Sequence, residues 1–116
     1  MASAAQQLAQ PLTLPNGSVL PNRLAKSALS ETLGTMDNRV TPALVRLYER
    51  WAKGGTGLLI TGNIMIDRRA LGEPGNVVIE DDRDLAQLSA MAEGVAKQGA
   101  KLWAQINHPG KQSPKG

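Results

Sequence analysis

At 116 residues the chain is long enough for one domain with its own core, and 41% hydrophobic with 20% charged residues is a globular balance, not a disordered or fibrous one. The net charge of +3 comes from cations scattered between Arg23 and Lys115, with Arg68-Arg69 the only adjacent pair and Tyr48, Trp51 and Trp103 the only aromatics, which speaks against a nucleic-acid partner. Absence of cysteine excludes disulfide, zinc-ribbon and thiol chemistry, and a single histidine, His108, leaves no multi-histidine metal site in this chain.

Residues 1–11 are rich in Ala and Gln and close on Pro11, which reads as a flexible lead-in. They hold no basic residue, unlike a secretory signal, and no apolar run approaches a membrane span, so a cytoplasmic protein with no membrane partner is expected. Leu12-Thr13-Leu14 and Val19-Leu20 flank Pro15-Asn16-Gly17-Ser18; the Asn-Gly pair predicts a hairpin turn, although it also fits a glycosylation pattern. A first buried strand is expected over Leu24–Leu29, interrupted by Lys26 and Ser27. Thr41 as N-cap and Pro42 at the first helical position open a helix, whose apolar stripe is Leu44, Leu47, Tyr48 and Trp51 and whose stop is Gly54 or Gly55.

Gly57-Leu58-Leu59-Ile60-Thr61 has the density of a strand buried on both faces, and residues 62–80 read as a long loop after it. Asp81, Asp82 and Asp84 suit a helix start; Leu85, Leu88, Met91, Ala92 and Val95 make its apolar face and Gly99 its end. Lys101–Ile106 is a third strand. This alternation implies parallel strands, in either a doubly wound sheet or the opening of a (β/α)₈ barrel.

The glycine cluster Gly54-Gly55-Thr56-Gly57 follows a helix and precedes a strand, which is the wrong order for a phosphate cradle, so it reads as a helix stop and return. No Walker lysine motif, dinucleotide fingerprint or Ser/His/Asp constellation occurs. In both architectures ligands bind at strand C-termini. Ser30, Gly62-Asn63 and Gln105 are expected there, and a Gln amide, both donor and acceptor, suits a heterocycle edge of alternating N–H and C=O groups. A solvated loop-edge glutamine is the competing reading.

Leu12-Thr13-Leu14-Pro15-Asn16-Gly17 with Asn22-Arg23-Leu24, then residues 52–61, then Gln105-Ile106-Asn107-His108-Pro109-Gly110-Lys111, together resemble the Old Yellow Enzyme family, in order and over most of residues 12–112. The last segment is similar to that family's Gln-x-x-His-x-Gly-Arg, with Lys111 where Arg is usual. The resemblance implies an α/β fold: the N-terminal βαβαβ portion of a (β/α)₈ TIM barrel preceded by a short β-hairpin, residues 12–116 being a partial barrel. It implies an FMN-dependent enzyme that takes hydride from NAD(P)H and passes it to an activated alkene or related small-molecule acceptor.

Residue by residue, it implies that Ala28, Leu29 and Ser30 lie against the flavin. Ser30 stands where Thr or Cys is frequent, and Gly62 or Asn63 supplies a backbone donor. Gln105 binds the pyrimidine edge of the ring system, and His108 lines the mouth or is simply a satisfied loop residue. The family's substrate-binding His/Asn pair, phosphate loops and proton-donating Tyr fall beyond Gly116. An N-terminal part that needs the remaining barrel sequence and is inactive alone is therefore expected; an oligomer is compatible with this. Two other readings stay open on the residues: a small complete doubly wound α/β ligand-binding module, and an assembly piece that pairs through strand edges.

Overall fold

A computed structural model describes residues 3–112; the last four residues of the 12–116 segment lie outside it. Where the lead-in was read, Ala4–Leu8 form a short helix, α1, opened by a capping box in which Ser3 and Gln6 bond reciprocally at 2.8 and 3.2 Å. The hairpin is as expected: β1 (Leu12–Thr13) pairs antiparallel with β2 (Val19–Leu20). Its turn places Gly17 at φ 89°, with the Ser18 N–H donating to Asn16 Oδ1 at 3.0 Å.

The next elements are β3 (Ala25–Lys26), α2 (Pro42–Lys53), β4 (Leu58–Met65), β5 (Val77–Val78), α3 (Leu85–Ala96) and β6 (Lys101–Asn107), followed by a 3₁₀ turn at Gly110–Gln112. Thr41 caps α2, its side chain accepting from the Leu44 N–H at 3.2 Å, and Gly55 at φ 108° turns the chain after it. The face of α2 that faces inward is Leu44, Tyr48 and Ala52; Trp51 packs half-buried beside it, edge-on to Tyr48.

Three expectations need correction. The first strand is only Ala25–Lys26, not Leu24–Leu29, because Lys26 turns its ammonium to the Ile60 carbonyl and the chain then leaves the ladder. The second strand runs on to Met65, so the segment read as loop from residue 62 begins as strand, and β5 sits inside the remainder. In α3, Leu85 is 60% exposed and Ala92 is also exposed, while Gly94 is buried. Gly94 lies against Glu49, at a distance where a Cβ would meet that side chain at 3.3 Å, and this close crossing of α2 rotates the inward face to Leu88, Met91, Gly94 and Val95.

Asp84 stands at the start of α3 but does not cap it. Its buried carboxylate accepts from Arg39 Nε at 2.9 Å and from the Val40 N–H at 3.0 Å, tying the approach to α2 to the start of α3. Burial pushes its pKa up, but the Arg39 and Val40 hydrogen bonds and the Arg39 charge outweigh that and hold it below the usual value.

The spine is β4. It pairs in parallel with β6 from Leu58↔Lys101 to Met65↔Asn107, with one interruption between Ile60 and Asn63. Since a strand has two edges, β3 (Ala25↔Leu58) and β5 (Ile64↔Val77) share the other one, at its two ends. Helices α2 and α3 cover one face of the sheet and pack on each other, enclosing Val40, Leu44, Tyr48, Leu59, Ile64, Val77, Met91 and Val95. Burying Leu59 completely is worth about 2 kcal/mol. The opposite face carries Trp103, 46% exposed, and Gln105. Strands in sequential order β3-β4-β6 with both helices on one face make the arrangement of a barrel wall; a doubly wound sheet would put helices on both faces.

Candidate functional site

Parallel strands place the ends of β4 and β6 at one end of the sheet, and there the ladder is interrupted. Ile60 pairs with Trp103 and Asn63 with Gln105, so Thr61 and Gly62 together oppose Ala104 in a β-bulge. Because side chains alternate along a strand, the extra residue reverses the facing of everything after it. Asn63 is thereby set opposite Gln105, and Gln105 Nε2 donates to Asn63 Oδ1 at 2.6 Å. The Gln105 N–H is itself held by Thr61 Oγ1 at 3.0 Å. Among the described residues, Gln105 Oε1 and Asn63 Nδ2 make no hydrogen bond.

Gly62 needs to be glycine. A Cβ there would lie 2.5 Å from the Leu29 carbonyl, so Leu29 presses its backbone against the bulge. The Gly62 N–H donates to Glu31 Oε2 at 3.0 Å and to the Tyr48 hydroxyl at 3.2 Å. Of the two residues expected as backbone donors, Gly62 is thus engaged on the helix side of the sheet. Ala28 is half-buried, and Leu29 and Ser30 are exposed.

Ser30 lies past the end of β3 and donates its hydroxyl hydrogen to Glu73. Glu73, Gly72, Asn63, Asn107, His108 and Pro109 line a polar cavity of about 300 Å³ at the strand ends. Ser30, Asn63 and His108 therefore meet one basin, Ser30 through Glu73, and Gln105 joins through Asn63. His108 is exposed, its Nδ1 accepting from the Gly110 N–H at 3.0 Å. The buried Asn76 fixes the Glu73 loop, its Oδ1 accepting from the N–H groups of Gly72 and Glu73 at 3.1 and 3.0 Å.

The Glu73 loop is tied in turn to the segment that follows Ser30. Gly34 donates its N–H to the Gly75 carbonyl at 2.8 Å, and neither residue tolerates a side chain: a Cβ on Gly34 would sit 2.7 Å from Gly75 O, one on Gly75 2.8 Å from Thr32 O. Farther out, the Arg69 hydrogen bonds hold Asp67 at about 2, well below the usual carboxylate value.

Sequence reasoning missed Lys26, Glu31, Tyr48, Thr61 and Glu73. Tyr48 was visible only as part of an apolar stripe. The signal for Lys26 was its position, a cation interrupting an expected buried strand, with an acid a few residues on. Among the described residues no group of three His, Asp or Glu could hold a metal, and no helix is long and apolar enough to cross a membrane.

Residues 7–116 match the family described as NADH:flavin oxidoreductase / NADH oxidase. Among curated proteins, the chain is 38% identical over 110 residues to the NADH-dependent flavin oxidoreductase iliE of Hypocrea jecorina, covering 91% of this chain and 27% of that one. It is 38% identical over 106 residues to the NADH:fumarate oxidoreductase of Klebsiella pneumoniae, covering 91% and 11%. Among solved structures, morphinone reductase in complex with tetrahydroNAD superposes with a TM-score of 0.79 at 25% identity, over 91% of this chain and 28% of that one. The Old Yellow Enzyme of Pichia sp. AKU4542 superposes with a TM-score of 0.82 at 24% identity, over 92% and 28%; this last is a likeness of fold, that of the N-terminal part of an α/β barrel. The chain spans about a quarter or less of the length of these relatives.

Proposed function

The chain belongs to the NADH:flavin oxidoreductase / NADH oxidase family, and on that premise we propose that residues 12–116 are the flavin-holding N-terminal part of an FMN-dependent oxidoreductase, completed by further barrel sequence. The observation that carries this reading is the Gln105–Asn63 pair at the mouth of the sheet, positioned by the bulge. With Gln105 Oε1 and Asn63 Nδ2 unengaged among the described residues, the pair offers an acceptor beside a donor. That donor set fits the alternating N–H and C=O edge of an isoalloxazine ring.

Bound FMN would supply hydride chemistry, taking a hydride from NAD(P)H and passing it to an activated alkene or related acceptor. The residues of this chain bind and orient. Gln105 would hold the pyrimidine edge, the Asn63 backbone N–H would serve as the ring donor from β4, and the Ser30 hydroxyl, which donates to Glu73, would turn from that carboxylate to the ring. Donors aimed at the ring oxygens and nitrogen stabilise the charge that accumulates on reduction, which raises the ring's affinity for electrons. Ala28 and Leu29 form the apolar support, and His108 lines the mouth toward the substrate. Lys111, a point charge in place of a planar fork, offers less directional anion binding than Arg.

The remaining barrel would cover Trp103 and Ile106, which are 46% and 62% exposed. Residues 1–116 by themselves are then expected to retain no FMN. The test is a fluorescence titration with FMN, on the chain alone and on the chain joined to the rest of its barrel. Tight stoichiometric binding only in the completed barrel, lost in Gln105→Ala, supports the reading. Binding that is indifferent to Gln105→Ala overturns it.

A further inference from the structure

We infer that Lys26, Glu31 and Tyr48 are positioning residues that grip the β4 bulge from the helix side, take up the Gly62 N–H, and so leave Asn63 and Gln105 as the pair turned to the ring. The flavin part of this rests on the function proposed above; the grip itself is read without flavin.

A bulge breaks the regular ladder, and polar backbone groups beside it need other partners or lose free energy. Here side chains from β3, from α2 and from the segment between them supply them. Lys26, from β3, donates to the Ile60 carbonyl just before the bulge and to the Tyr48 hydroxyl at 3.1 Å. Its ammonium lies 5.1 Å from the ring centroids of both Tyr48 and Trp51, a cation held over two aromatic faces. The Tyr48 hydroxyl, from α2, donates a hydrogen bond to Glu31 Oε2, and both of these oxygens accept from the Gly62 N–H. Lys26, Tyr48 and Glu31 thus form one connected chain with opposite charges at its ends, anchored to β4 on both sides of Thr61.

Burial first, then the hydrogen bond to Glu31 and its negative charge, push the Tyr48 pKa upward, so the phenol keeps its proton and remains a donor. Burial pulls the Lys26 pKa down while Glu31 works against that. Thr61 completes the arrangement from the strand itself by receiving the Gln105 N–H. The function described for Asn63 and Gln105 depends on the bulge staying between Ile60 and Asn63, and these three side chains fix it there.

Amide hydrogen exchange by NMR on the chain joined to the rest of its barrel, without FMN, tests this residue by residue. Removing a charge-assisted hydrogen bond in Tyr48→Phe or Glu31→Ala should speed exchange at Gly62 by about tenfold or more, with Leu59 little changed. Tyr48→Phe keeps the buried ring, so it is read in a chain whose core packing is preserved. Glu31→Gln retains an acceptor oxygen and should restore most of the protection. The Gln105 side-chain amide resonances should shift along with Gly62, since their partner Asn63 adjoins the released peptide.

Unchanged exchange at Gly62 in both variants overturns the inference. So does exchange as fast as in an unfolded peptide in the unsubstituted chain, an equal rise at every β4 amide, or a loosened Gly62 with unmoved Gln105 resonances. None of these readouts involves FMN. A chain that binds no flavin can therefore still confirm the grip, and a flavin site that depends on Gln105 can stand while the grip fails.

Discussion

The two halves of β4 make different demands on the chain. From Leu58 to Ile60 the strand pairs with β6, and at Leu58 and Leu59 also with β3, and its side chains are all aliphatic, with Leu59 fully buried under the helices. From Gly62 to Met65 it still pairs, with β6 and at Ile64 and Met65 also with β5, and still buries those two side chains. Here, however, the Gly62 N–H is shared between Glu31 and Tyr48 and the Asn63 side chain is given to Gln105. The first half carries only apolar side chains; the second buries Ile64 and Met65 as well, and in addition holds the polar groups that the proposed reading gives to a ligand. The bulge at Thr61-Gly62 is the joint between them, and it teaches that one strand can serve both ends only if its alternation is broken once.

Substitutions along the strand should separate the halves, as read by urea unfolding. Leu59→Ala, in the buried half, should cost most, about 2–5 kcal/mol, because it opens a cavity between sheet and helices. Gly62→Ala should cost about 1–3 kcal/mol by forcing the Leu29 backbone and Glu31 away from the bulge. If it proves as stable as the parent chain, the bulge is softer than its contacts imply.

Asp84 gives a control outside β4. Its pKa is lowered by folding, so its contribution is complete above the ordinary carboxylate range and fades as pH falls through the folded value. Asp84→Asn should be less stable than the parent near neutrality by about 1–2 kcal/mol, the difference shrinking on acidification. A gap that widens in acid would reverse the sign of that argument. Smallest of all, Gln105→Ala should move stability by no more than about 0.5 kcal/mol, its side chain being exposed, while abolishing flavin retention in the completed barrel.

Local chemistry was legible and pairing was not. The Asn16-Gly17 turn and the Thr41-Pro42 opening of α2 each depend on residues adjacent in the chain, and both were read correctly. The extension of β4 past Thr61 was missed because a glycine followed by an asparagine has the signature of a loop. Only the opposing β6 and the side chains behind it make that stretch a strand. Leu85 and Ala92 were placed on the buried face by periodicity alone, whereas the orientation of α3 is decided by Glu49 packing on Gly94. Gln105 and Asn63 were legible as polar residues at strand ends. Their mutual bond, and the Lys26–Tyr48–Glu31 chain beneath them, join residues far apart in sequence that no local pattern links.

The backbone contact between Gly34 and Gly75 carries a consequence for how this surface changes over evolutionary time. Two segments bonded glycine to glycine, with no room for a methyl group at either, behave as a single lip. A residue swap beside one of them is transmitted to the other, so variation should arise as correlated changes on both segments.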